Sequence, residues 1–282
     1  LKEMFFYSVW NVFGNFSNVA KIQGVNILLN IFFGVVVNST YAITNLLTGI
    51  IGGLINAINT AINPQIYKSY AEENFERNAL LINIGSKFSF FFCLIVVLPI
   101  LFNTEYLLGL WLHKIPEYLV YFVQLALIVM LIDCLSGTLM AGIQATGKVK
   151  MYQIIVSISV FLNLPLSYLA LQFIKEPWIV YWIALFMSFV SLGLRLFFLN
   201  YLMKFSILSY IKFVLTKTSL VTFISVFLYW IFMSIFEIQS QIISLISSLI
   251  FTVLIVLTNI ILFGLSSIER QFIQSKIKGY LK

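Results

Sequence analysis

Apolar runs of about 20 residues recur along the whole chain, and a helix of that length spans the roughly 30 Å hydrocarbon core of a bilayer. Of the 282 residues, 61% are hydrophobic and 10% are charged. Charged side chains are therefore too few to cover a soluble protein of this size. The sequence predicts an all-α integral membrane protein with eight transmembrane helices. Their expected ranges are 4–31, 38–63, 80–102, 117–142, 150–172, 178–200, 212–236 and 241–263.

The connections between these spans differ in positive charge. Together with the flanking helix ends and the tail, the side of residue 1 holds fourteen of the seventeen Lys and Arg residues. The opposite side holds Lys114 and Lys175, and Lys21 lies inside the first span. Short loops rich in Lys and Arg stay in the cytoplasm, so both ends of the chain are expected there. The net charge of +7 then reflects topology and contact with membrane lipids, and no nucleic-acid partner is expected.

Neutral polar side chains form a stripe on each of the first two spans. On a helix wheel each stripe covers an arc of roughly 140°. The first stripe contains Ser8, Asn11, Asn15, Asn18, Gln23, Asn26 and Asn30. The second contains Asn38, Asn45, Thr48, Gly49, Gly52, Gly53, Asn56, Asn59, Thr60 and Asn63. A single Asn in a membrane helix usually forms a hydrogen bond with a neighbouring helix. Two whole stripes of polar side chains instead favour a water-filled cavity. Because amides both donate and accept hydrogen bonds, such a cavity suits a sugar better than a bare ion.

Three ionisable side chains lie within or near membrane depth. Lys21 either borders the cavity or pairs with a neighbouring helix. Asp133, in the middle of the fourth span, has three candidate roles. It could be the ion-pair partner of Lys21, a substrate-binding group or a site of protonation. Arg195 lies near the basic end of the sixth span and is expected to reach the interface by snorkelling. Asn163 and Pro165 give the fifth span a polar, kinked outer half.

The sequence contains no pattern typical of an enzyme. It has no glycine-rich phosphate loop, no His or Cys set with metal-ligand spacing, and no nucleophile with an available His partner. Cys93 and Cys134 lie in separate apolar runs and are expected to be buried free thiols. We therefore expect no catalytic activity, no cofactor and no metal.

Four loop and helix-end segments carry a family resemblance. They are NPQIYKSYAEENFE (63–76), GLWLHKIPEY (109–118), AGIQATGKVKMYQIIVS (141–157) and FLNLPLSYLAL (161–171). In this order and spacing they resemble the polysaccharide and O-antigen flippases of the multidrug/oligosaccharidyl-lipid/polysaccharide exporter superfamily. The stretch FFGVVVNSTYAITN (32–45) is similar to the start of the second half of those proteins.

The resemblance implies an architecture and a location. Such flippases usually have fourteen spans, arranged as two six-helix lobes followed by two terminal helices. Residues 1–211 would then be the second lobe, and residues 212–282 the two terminal helices with a basic cytoplasmic tail. The first of the two lobes is missing from this sequence. It would belong to the same longer chain or to a separate subunit, and this chain alone should not transport. The expected location is a bacterial inner membrane.

The resemblance also implies a substrate, an undecaprenyl-diphosphate-linked oligosaccharide moved by alternating access. Lys21 and Arg195 would contact the diphosphate, and the amide stripes would contact the sugars. The candidate substrate-binding residues are Lys21, Gln23, Asn26, Asn30, Asn45, Asn56, Asn59, Asp133 and Arg195. The alternatives are a cation-coupled multidrug exporter of the same superfamily, which should carry more acidic groups in its cavity, and a non-transporting assembly subunit of a polysaccharide machine.

Overall fold

The chain folds into a bundle of helices joined by short turns. A computed structural model describes residues 2–235, 241–266 and 269–271, with residues 2–8, 11, 13 and 241 described as backbone alone. The α-helices are α1 (Lys2–Phe33), α2 (Val35–Ala71), α3 (Phe75–Phe102), α4 (Thr104–Trp111), α5 (Leu119–Asp133), α6 (Gly137–Ala145), α7 (Lys150–Phe173), α8 (Ile179–Met203), α9 (Ile207–Tyr210), α10 (Thr216–Ile235) and α11 (Gln241–Asn259). Residues 272–282 of the predicted basic tail, and the side chains of Ser8 and Asn11, lie outside what is described.

Seven segments of the described chain are long and apolar enough to cross a membrane. They are 35–71, 75–102, 119–145, 150–173, 179–203, 207–235 and 242–264. These seven match the second to eighth predicted spans. Helix α1 has the length of a span, but its amides and Lys21 lower its hydropathy, and it is not among the seven. Seven of the eight predicted spans are thus confirmed.

Two boundaries differ from the sequence prediction. Helix α2 does not end at Asn63 but continues through Pro64 to Ala71, because membrane helices tolerate Pro and the extension is bonded to α3. The Asn78 amide there donates to the carbonyl of Ile66 at 2.7 Å and to the hydroxyl of Ser69 at 2.9 Å. The connection predicted after residue 102 contains the short helix α4.

Two glycines that lie between predicted spans form turns. Gly34 alone separates α1 from α2, with a φ of 78°, and Gly147 precedes α7 with a φ of 69°. Both values lie in the left-handed region that glycine adopts without steric cost. The single-residue turn at Gly34 folds α1 back along α2, where the Tyr41 hydroxyl donates to the Ile22 carbonyl at 3.4 Å.

Helix α3 occupies the centre of the bundle. About three fifths of its apolar window is buried (61%), compared with 22% for α2. It packs against α2, α5, α6 and the terminal helices α10 and α11. Its central position matters because its polar side chains form hydrogen bonds and an ion pair with the surrounding segments.

The fourth span is interrupted at its middle. Helix α5 ends at Asp133, Cys134–Ser136 form a 3₁₀ turn, and α6 begins at Gly137. The carbonyl of Leu135 in this turn accepts hydrogen bonds from the hydroxyls of Ser86 at 2.7 Å and Tyr210 at 3.4 Å. Side chains of α3 and α9 thus bond the backbone at the point where the helix changes geometry.

A buried ion pair attaches the chain after α11 to α3. The ammonium of Lys87 lies 2.6 Å from a carboxylate oxygen of Glu269, with 5% and 13% of the two side chains exposed. Lys87 also donates to the carbonyl of Gly264 at 3.4 Å, and Glu269 accepts from the backbone amide of Ser266 at 2.7 Å. The sequence placed Lys87 among the cations at the membrane flank and did not reveal this pair.

Two further cations, Arg270 and Lys217, bind carbonyl groups at the end of the helix that α11 begins. Residues Ile260–Gly264 form a π-helical turn that ends the helix, and the last carbonyls of a helix lack helical partners. The Arg270 guanidinium donates to the carbonyls of Ile261 and Leu262 at 2.8 and 3.0 Å. Lys217 of α10 donates to the next carbonyl, that of residue 263, at 3.0 Å. Positive charge at a helix C-terminus is also favoured by the helix dipole.

We predict that Glu269→Gln lowers the free energy of unfolding by about 3 kcal/mol, because it leaves a buried ammonium without a counter-charge. The matched control is Glu72→Gln, which breaks a pair with Lys68 that is 3.8 Å long and has 67% and 48% exposed side chains. That pair should contribute about 0.5 kcal/mol or less. Unfolding in SDS measures both, and equal effects of the two substitutions would contradict a structural role for the buried pair.

The same pair predicts a pH dependence. Burial raises the pKa of the Glu269 carboxyl, but hydrogen bonds from Lys87 and Ser266 and the charge of Lys87 outweigh it, so the pKa lies below its ordinary value. The pair's stabilisation is therefore complete above the ordinary carboxyl pKa and is lost as the pH falls through the lowered value. Melting curves of the unsubstituted protein should show an acid-induced loss that Glu269→Gln lacks. The same acid profile in both proteins would be incompatible with this assignment.

A third prediction concerns the start of α6. A Cβ built on Gly137 would overlap the carboxamide of Asn59 in α2, whereas one built on Gly53 meets no atom within 4 Å. Gly137→Ala should therefore cost about 1–3 kcal/mol through overpacking. Gly53→Ala should stabilise by about 0.5–1 kcal/mol through helix propensity. Unfolding in SDS compares the two, and stabilisation by both would show that α2 and α6 are not in close contact.

Candidate functional site

Six segments line an open cavity of about 510 Å³, which we call the central cavity. They are α1, α2, the end of α5 with its 3₁₀ turn, α6, α7 and α8. Helix α2 contributes three amides that follow one face of the helix, Asn56, Asn59 and Asn63. Helix α1 contributes Asn18 and Lys21. Asn18 of the first predicted stripe and these three amides of the second therefore line the same cavity.

A second cavity of about 360 Å³ adjoins the first and has mostly apolar walls, so we call it the apolar cavity. Val25, Val129 and Val180 are among its lining residues, and Asn45 and Thr48 supply polar groups. The two cavities share four lining residues, which we call the junction. The junction consists of Lys21, Met130, Asp133 and Asn163.

The structure brings six of the nine predicted site residues together. Five line the central cavity, namely Lys21, Asn56, Asn59, Asp133 and Arg195. Asn45 lines the apolar cavity.

Gln23, Asn26 and Asn30 line neither cavity. Gln23 and Asn30 are exposed, and Asn26 is half-buried. The cavity-facing side of α1 is centred on Asn18, and Gln23 and Asn30 lie roughly 120–140° around the helix from it. The predicted arc is therefore too wide for all its side chains to face one cavity.

Charge in the central cavity comes from Lys21, Asp133 and Arg195. None of the three has an ion-pair partner within 4.0 Å in the described part of the chain, where the two ion pairs are Lys68–Glu72 and Lys87–Glu269. A Lys21–Asp133 pair, one of the alternatives that the sequence left open, is thus not observed. The cavity holds two cationic groups and one carboxyl group without a salt bridge.

The Arg195 side chain turns into the bundle, in contrast to the expected snorkelling. Its guanidinium donates from Nη1 to the Ser136 hydroxyl at 3.0 Å, inside the bundle. Its Nε is buried without a hydrogen-bond partner among the described residues. The interruption of the fourth span supplies this hydroxyl, so α8 and the 3₁₀ turn position the guanidinium together.

Sequence reasoning missed several hydroxyls and amides of the central cavity, including Ser136, Gln144, Ser188 and Ser191. The sequence contains a spacing pattern that could have identified part of this set. Ser188, Ser191 and Arg195 follow the three- and four-residue spacing of one helix face. Asn163 was recognised as polar, but its place in the cavity was not.

A third, smaller cavity of about 160 Å³ continues from the central one between α1 and α7. Asn18, Gln144 and Arg195 line both. The chemistry available throughout is hydrogen bonding and charge. Among the described residues, no three His, Cys, Asp or Glu side chains are grouped closely enough to hold a metal ion.

Comparison with known proteins identifies the family. Neither the curated proteins nor the solved structures contain a match to this chain. The MatE family matches residues 22–169, a segment that runs from α1 into α7 and contains most of the central cavity. Because the match covers more than half of the chain, the protein belongs to the MatE family of membrane transporters, within the multidrug/oligosaccharidyl-lipid/polysaccharide exporter superfamily.

Proposed function

We propose that the chain is one lobe of a flippase that moves a polyprenyl-diphosphate-linked oligosaccharide across a bacterial inner membrane. The observation that carries this proposal is the central cavity, whose walls combine many neutral amides and hydroxyls with two cations. Sugar hydroxyls both donate and accept hydrogen bonds, and amides offer both functions in return. Polar groups at membrane depth are costly, which favours a functional use for so many of them.

The two cations fit an anionic linkage between lipid and sugar. Lys21 and Arg195 line the central cavity without a carboxylate partner in the described chain. Charge-assisted hydrogen bonds from such groups to phosphate oxygens are strong, and a guanidinium can bind two oxygens at once. In this proposal the diphosphate lies between Lys21 and Arg195, and the glycan occupies the amide-lined space beside them.

Transport by alternating access requires a second lobe on the open side of the cavity. Helix α2 has 22% of its apolar window buried, and Asn56 and Thr60 on it are exposed. Amides and hydroxyls at membrane depth are unfavourable against lipid. We propose that the partner lobe covers this face, whether it belongs to the same polypeptide or to another subunit, and that both ends of the chain are cytoplasmic.

A cation-coupled multidrug exporter is the second candidate, and Asp133 is the observation that favours it. This carboxyl group lies at the junction of the two cavities and has no ion-pair partner among the described residues. A free carboxylate beside an apolar cavity suits an amphiphilic cation or a coupling proton. The amide-rich wall of the central cavity is the reason why we place this function second.

We predict that Asn56→Ala lowers surface glycan at least tenfold in a flippase-null strain that expresses the complete transporter containing this chain. The loss follows from removing hydrogen bonds to the substrate, each worth about 1 kcal/mol, together with the packing around them. Asn30→Ala is the matched control, since Asn30 is an exposed amide that lines neither cavity. Unchanged glycan in both variants would reject the central cavity as the glycan path.

The same strains distinguish the two functions. A flippase restores surface glycan and leaves the efflux of a cationic dye unchanged. A multidrug exporter lowers dye accumulation, and Asp133→Asn should abolish that effect. Dye efflux without restored glycan would replace the flippase proposal by the exporter.

A further inference from the structure

Asn163 is the one fully buried amide at the junction. Its side chain has 0% exposure, and the residue lines the central cavity and the apolar cavity at once. The Ser167 hydroxyl donates to its carbonyl oxygen at 3.5 Å. Its amino group, Nδ2, has no hydrogen-bond partner among the described residues. Two N–H donors are therefore buried beside both cavities without an acceptor.

Close packing of α1 on α7 places Asn163 beside Lys21. Gly24 of α1 faces Leu164 of α7, and a Cβ on Gly24 would overlap the terminal methyl groups of Leu164. The glycine lets the two helix backbones approach. The residues next to this contact on α7 and one turn earlier on α1, Asn163 and Lys21, consequently share the junction.

The junction combines donors with an acceptor. Asn163 and Lys21 supply N–H donors, and Asp133 supplies carboxylate oxygens. A hydroxyl group can accept from one side and donate to the other, and two neighbouring hydroxyls can use the whole set. An isolated cation would not use the Asn163 donors, and an isolated anion would not use Asp133.

We propose that Asn163, Lys21 and Asp133 form a recognition site for one hydroxyl-bearing sugar ring, with Asn163 as its specificity-determining donor. The proposal rests on the proposed function in taking the ligand to be a carbohydrate. It goes further by assigning the site to the junction and its selectivity to an amide of α7. The ring lies where the polar and apolar cavities meet, so its hydroxylated edge faces the amides and its apolar face meets Met130.

Ser159 is a second buried, unpaired polar residue of α7, but unlike Asn163 it lines no described cavity. Its hydroxyl lies one turn earlier on α7, is buried, and also lacks a partner among the described residues. Ser159 lines none of the three cavities described above. An unpaired buried group on α7 is therefore not a site by itself, and Ser159 offers a matched control in the same helix.

The test is a titration of the purified chain with methyl α-glucoside, followed by NMR of isotope-labelled asparagine side chains in nanodiscs. The Asn163 signal, assigned by its loss in Asn163→Ser, should shift saturably as the glucoside binds. Asn78 is the internal reference, since its amino group already donates to Ile66 and Ser69 and lies outside the cavities. Its signal should not move.

Binding strength supplies the second measurement. With the Asn59 signal as reporter, Asn163→Leu should raise the Kd for methyl α-glucoside about tenfold. Ser159→Ala should leave the Kd within about twofold, since it removes no group that faces a cavity. A melting curve of each variant establishes that it is folded. The titration of the unsubstituted chain decides the question even where a variant unfolds.

The outcomes separate the two proposals. Shifts of Asn56 and Asn59 without a shift of Asn163 would overturn the junction site and leave the proposed function standing. An Asn163 shift with an unchanged Kd in Asn163→Leu would overturn its role in specificity. If no cavity amide responds to the glucoside, carbohydrate binding by this lobe fails as well.

Discussion

The bundle depends on one requirement, that backbone polar groups at membrane depth find partners within the protein. One place where this matters is the fourth span, which changes from α-helix to a 3₁₀ turn at Cys134–Ser136. Hydroxyls of Ser86 and Tyr210 satisfy the Leu135 carbonyl. With that carbonyl paired, the turn can present Ser136 to Arg195. The cavity wall thus exists because two other helices stabilise a break in the fourth span.

One turn of α3 connects this break to the rest of the molecule. Ser86 bonds the 3₁₀ turn, Lys87 pairs with Glu269 beyond α11, and Ser89 donates to the amide oxygen of Asn59 at 3.2 Å. The terminal helices, the interrupted span and the polar face of α2 are therefore fastened to the same rigid helix. A displacement of α3 would move all three, so the terminal helices have a physical connection to the cavity wall.

The sequence was informative where the signal is local. Apolar runs placed seven spans, Gly34 and Gly147 marked their turns, and the spacing of Asn56 and Asn59 put both on one face of α2. A helix wheel gives angles within one helix but not how the helix is rotated in the bundle, which is why Gln23 and Asn30 were misplaced. The interruption of the fourth span depends on partners 49 and 75 residues away from Leu135, so no local pattern marks it.

The described chain uses the charges inside its helix bundle in two different ways. Near the end of α11, Lys87 is neutralised by Glu269 and donates to a terminal carbonyl, which is the arrangement expected where a charge only holds helices together. In the cavities, Lys21, Asp133 and Arg195 have no such partners, and the amino group of Asn163 is unpaired beside them. Leaving polar groups unsatisfied costs free energy. The convergence of Lys21, Asp133 and Asn163 on the junction is best explained if a ligand completes their hydrogen bonds there.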